Sequence, residues 1–90
     1  MGARETGGMP SRDRVLGPVP GTVKWWKGEK GYGVVLTPDT APKGIWVSFS
    51  HIEGEGYQDL DQEETVDIEY EPARQDSFRF RATRVRRRID

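Results

Sequence analysis

Residues 21–36 read GTVKWWKGEKGYGVVL and residues 45–50 read IWVSFS, and the punctuation of these two stretches decides the fold. In the first, two runs rich in β-branched and aromatic side chains, residues 22–27 and 32–36, flank Gly28-Glu29-Lys30-Gly31, whose glycines allow the positive φ of a hairpin turn. The second stretch predicts a third strand in which Ile45, Val47 and Phe49 alternate with Trp46, Ser48 and Ser50. Side chains on a strand alternate between faces, so the apolar set turns inward and Trp46 is left on the outer surface. Between strands two and three, residues 37–44 are dense in Thr, Pro, Asp and Gly and form a surface loop.

Working outward, residues 65–71 predict a fourth strand with Val66, Ile68 and Tyr70 on the buried face and Asp67, Glu69 and Glu71 on a solvated, acidic one. A fifth strand is expected over 78–86. There Phe78, Phe80 and Ala82 share a phase that Val85 breaks, which predicts a bulge near Thr83 and Arg84 and leaves Phe80 a candidate for the outer aromatic surface. Residues 52–64 read as a connection. An extra residue at Leu36 suggests a bulge in strand two. Five short strands and one long connection predict an all-β, five-stranded antiparallel Greek-key barrel. Residues 1–20, rich in Gly and Pro with few large apolar side chains, read as a flexible N-terminal arm, and the domain as 21–88.

The chain has 90 residues, of which 33% are hydrophobic, enough for one thin core and no second domain. With no cysteine, disulfide scaffolds, thiol catalysis and cysteine zinc sites are excluded. The single histidine, His51, has no sequence partner for base catalysis and reads as a surface-loop residue, so an enzyme is not expected. Asp59, Asp61, Glu63 and Glu64 lack the glycine and spacing of a calcium loop, and no metal or other cofactor is expected. No apolar run approaches the roughly 20 residues that span a bilayer. The expectation is a cytoplasmic monomer without membrane contact. Net charge is −1, unevenly spread: +1 over 1–20, +2 over 21–52, −9 over 53–76 and +5 over 77–90. A fold that joined the basic blocks would offer a polyanion a positive face.

The densest chemical signal lies between Lys24 and Phe49. Trp25, Trp26, Tyr32, Trp46 and Phe49 are interleaved there with Lys24, Lys27 and Lys30. Unstacked bases present flat faces that aromatic rings cover, at about 1–3 kcal/mol per base, while lysines neutralise phosphates. Adjacent Trp25 and Trp26 must point to opposite faces, and the pattern favours Trp25 as the outward one. A single aromatic would more often be core. The pattern as a whole points to single-stranded RNA or DNA as the partner.

Residues 21–26, 30–33, 45–50 and 52–57 together resemble the cold-shock domain family, and the likeness runs from about 21 to 86. The resemblance implies an oligonucleotide-binding (OB) barrel, a stacking platform of Trp25, Tyr32, Trp46, Phe49 and Tyr57, backbone contacts from Lys24 and Lys30, and Trp26 at the edge. It also implies an RNA chaperone or a regulator of transcription or translation. Two departures stand out. Val34 occupies a position usually aromatic, and Ser48 one usually histidine, where it leaves only a hydroxyl for base contact. His51, three residues on, is not expected to substitute. Trp46, where phenylalanine is usual, offsets part of the lost ring area. A different class also fits: an interaction module using Trp25, Tyr32 and Trp46 as a patch for a partner protein.

Overall fold

The computed structural model describes residues 14–56 and 58–88. They form five strands, β1 (Leu16–Lys27), β2 (Tyr32–Leu36), β3 (Ile45–Ser48), β4 (Thr65–Gln75) and β5 (Phe78–Arg87), with a 3-10 turn at Phe49–His51. The strands close into a barrel in the order β1-β2-β3-β5-β4. Every neighbouring pair is antiparallel except β3 with β5. The expected five-stranded OB barrel is the observed one.

The core is aliphatic and contributed by all five strands: Val23, Val35, Ile45, Val47, Val66, Ile68 and Val85 are fully buried, with Tyr70 and Ala82 beside them. Ile52 and Leu60 of the long connection close the interior. Small branched side chains suit a narrow barrel because they fill its interior without forcing the strands apart.

Strand β1 is longer than the sequence suggested. Residues 16–22 pair with β4 and residues 22–27 with β2, so one bent strand serves both sides of the barrel and closes it. Leu16–Pro20, assigned to the arm by composition, is therefore sheet. Gly17, at φ 96°, allows the register shift between Leu16 and Val19. Within the predicted arm, residues 1–13 lie outside the described residues.

Two bulges set the faces. The one expected in β2 at Leu36 lies in β1: Val23 pairs with Val35 but Trp25 with Val34, so Lys24 is the extra residue. This reverses the alternation beyond Val23. In β5, Glu69 pairs with Arg84 and Tyr70 with Ala82, which makes Thr83 the extra residue, as the phase break foretold. Ala82 and Val85 both face inward as a result.

Strand β3 stops at Ser48 instead of running to Ser50. The Ser48 hydroxyl accepts the Ser50 N–H at 3.3 Å and His51 Nδ1 accepts the Ser48 N–H at 3.1 Å. These local bonds compete with the sheet ladder and turn the chain. Phe49, expected on the inward apolar face, leaves the strand and is 44% exposed.

Candidate nucleic-acid interface

The site is the outer face of β1, β2 and β3. The Lys24 bulge makes Trp25 the partner of Val34 and Trp26 the partner of Gly33. Val34 is the one buried valine of β2 outside the core cluster, so it lies on the outer face with Tyr32, and Gly33 and Val35 face in. Trp25 is thereby outward and Trp26 inward. The rings of Tyr32 and Trp46 stack with centroids 6.1 Å apart and planes 29° from parallel, and Trp25 meets Tyr32 edge-on at 5.9 Å. All three are half-buried, so each keeps surface open to solvent. Val34, between Trp25 and Trp46 in the pairing, is 1% exposed and serves as the floor beneath the rings.

Trp26 has a different role. It packs against the core, and its indole N–H donates to Asp59 at 2.8 Å, which ties the long connection to β1. Gly33 is what admits it: a Cβ there would stand 2.5 Å from Trp26 Cε3. The room that Gly33 provides is filled by Trp26. Phe80 is likewise off the platform, packed against the core and edge-on to Tyr70 at 5.4 Å. Phe49 sits at the platform rim, its N–H donating to the Gly31 carbonyl of the β1–β2 turn at 2.8 Å. The Ser48 hydroxyl is engaged with Ser50, at 3.1 Å to its hydroxyl. Tyr57 lies outside the described residues.

Electrostatically the platform and the rest of the barrel differ. Four arginines at the end of the chain are spent on the acidic block: Arg84 and Arg86 on Glu53, Arg87 on Glu64 at 2.7 Å and Asp61 at 3.5 Å, and Arg88 on Asp67 at 2.7 Å. The two basic segments therefore do not merge into one positive face. The β4–β5 register places Asp67 opposite Arg86 and Glu69 opposite Arg84, so the charges cancel across that pair. Glu71, expected on the solvated face, is buried and held by Arg81 at 2.8 Å. By contrast, none of Lys24, Lys27 and Lys30 joins an ion pair among the described residues. The Lys24 ammonium donates to the Pro42 carbonyl at 3.2 Å, and that of Lys27 lies 5.5 Å from the Trp25 ring centre.

The sequence reading missed His51. Its ring stands edge-on to Trp46 at 6.2 Å, and its Nδ1 closes a capping box with Ser48. The Ser-x-x-His spacing carried the signal, hidden because Glu or Gln usually fills the third position. Burial, and then the Arg81 charge, hold the His51 pKa below its ordinary value against the opposing pull of Glu71. A histidine so shifted stabilises the fold above about pH 6.5, and the contribution is lost as pH falls through the lowered value. Urea midpoints of the wild type and His51→Ala should therefore differ most at pH 7 and converge toward pH 5. A gap that widened on acidification would contradict this.

A closed five-stranded barrel carrying Trp25, Tyr32 and Trp46 on one outer face defines a nucleic-acid-binding module of the OB class. The chain belongs to the cold-shock DNA-binding domain family, whose model matches residues 19–87. It is 41% identical over 49 residues to the major cold shock protein of Micrococcus luteus, covering 54% of this chain and 72% of that one. Cold shock-like protein CspLB of Listeria monocytogenes is 43% identical over 49 residues, covering 54% and 71%. Protein lin-28 of Caenorhabditis briggsae is 36% identical over 69 residues, covering 73% of this chain and 29% of that protein. Among the described residues no helix is long and apolar enough to cross a membrane.

Proposed function

We propose that the domain binds single-stranded RNA or DNA by laying successive bases across Trp25, Tyr32 and Trp46, with Phe49 at the rim and Lys24, Lys27 and Lys30 along the sugar-phosphate chain. The stacked Tyr32–Trp46 pair on the outer face carries this reading. Such a platform engages bases only where they are unstacked, and reaching bases inside a duplex costs a few kcal/mol per step. The domain would thus hold strands open without consuming ATP, as an RNA chaperone or a regulator of transcription or translation does. Closure of the barrel gives each strand two neighbours, which supports action as a monomer.

Titration of tryptophan fluorescence with a hexathymidine tests the reading. Stacking should quench the emission. Three lysines on phosphates should give a slope of log affinity against log salt of about −2, at roughly −0.7 per contact on a single strand. Unchanged emission at low salt and high protein concentration would overturn it and favour a partner protein on the same rings.

A further inference from the structure

We propose that His51 is a base-reading residue: its Nε2–H is a fixed hydrogen-bond donor at the rim of the platform, selecting an exocyclic carbonyl on the base stacked over Trp46. The inference rests on the single-strand reading and adds a specificity element to it. The tautomer follows from the hydrogen bond at the other nitrogen. Nδ1 accepts the Ser48 N–H at 3.1 Å, so it carries no proton, and in a neutral imidazole the proton must then sit on Nε2. The lowered pKa is in keeping with that neutral form.

Nε2 is also available. It makes no hydrogen bond among the described residues, and the only buried side-chain polar atom without a partner there is Thr83 Oγ1, so Nε2 opens to solvent. Its orientation is fixed at two points, by the Ser48 bond behind it and by the edge contact with Trp46 at 6.2 Å. The charged groups that act on it, Arg81 of β5 and Glu71 of β4, are paired with each other at 2.8 Å. Ser48, by contrast, has its hydroxyl tied into the turn.

A fixed donor discriminates between bases because the exocyclic group at pyrimidine C4 or purine C6 belongs to both the Watson–Crick and the Hoogsteen edge. Thymine, uracil and guanine present a carbonyl acceptor there, and cytosine and adenine an amino donor. Against an amino group, the Nε2–H would face another donor and lose its water without replacement.

Hexathymidine and hexadeoxycytidine binding should be compared at pH 7.5 for the wild type, His51→Ala and His51→Asn. Asparagine keeps a carbonyl oxygen able to accept the Ser48 N–H but lacks the far nitrogen. The wild type should prefer the thymine hexamer by about three- to tenfold, the range of one net hydrogen bond. Both variants should bring the ratio close to one, chiefly by weakening the thymine hexamer. An unchanged ratio in the variants would overturn the proposal, as would an equal loss for both hexamers, which would mark His51 as structural only. Nitrogen-15 spectra of the wild-type imidazole give an independent readout: the proton should sit on Nε2, and a proton on Nδ1 would refute the assignment. If the wild type bound neither hexamer, the single-strand reading itself would fall, an outcome distinct from a ratio indifferent to His51.

Discussion

Trp46→Ala is expected to weaken hexathymidine binding by roughly 5- to 150-fold, the equivalent of about 1–3 kcal/mol for one lost stacking surface. The indole lies on the outer face and stacks on Tyr32 at 6.1 Å, so its removal deletes one ring of the platform and frees a second. Stability should change far less, because Trp46 and both of its strand partners, Val34 and Arg81, lie outside the core cluster. Trp26→Ala is the informative contrast. That indole packs against the core and bonds Asp59 at 2.8 Å. Its loss should cost somewhat less than the about 3–5 kcal/mol of a fully buried tryptophan, while the folded fraction keeps its affinity. Anisotropy of a labelled oligonucleotide and thermal melting by circular dichroism separate the two effects. A Trp46→Ala protein that melted far below the wild type yet bound normally when folded would refute the assignment of faces.

Gly33→Ala is expected to be a strongly damaging methyl addition to the barrel. The new Cβ would press on the Trp25 carbonyl oxygen and stand 2.5 Å from Trp26 Cε3. Neither neighbour yields cheaply, since one is backbone in the β1–β2 ladder and the other is anchored by Asp59. Overpacking of this kind costs about 1–3 kcal/mol and occasionally more, a large part of a small domain's total of about 5 kcal/mol. The urea midpoint should drop sharply, and hexathymidine affinity should fall with it because Trp25 and Trp26 share the strained segment. A wild-type midpoint would show that Gly33 is not the seat of Trp26.

Much of this was legible in the residues. Alternation in Val66-Asp67-Ile68-Glu69-Tyr70 set the buried face of β4, and the phase break between Ala82 and Val85 located the β5 bulge. The lysine–aromatic interleaving marked the strands that carry the Trp25, Tyr32 and Trp46 ring cluster. Other features were hidden because they depend on pairing with distant strands. The composition of residues 16–20 says nothing of the β4 backbone waiting to pair with them. Arg84, Arg87 and Arg88 look free in sequence and are neutralised only when the barrel brings Glu53, Glu64 and Asp67 beside them.

What the sequence alone determined is the closed β-barrel, its aliphatic interior and the cluster of rings and lysines on strands one to three, because period-two patterning and turn residues act over a few positions. Only the tertiary structure decided how Trp26 is seated against the core and what His51 packs against. A one-residue bulge at Lys24 inverts every side chain after it, and its position is fixed by the register with β2. His51 acquires its role because a 3-10 turn folds it back onto Ser48 and beside Trp46, a juxtaposition that no strand periodicity encodes.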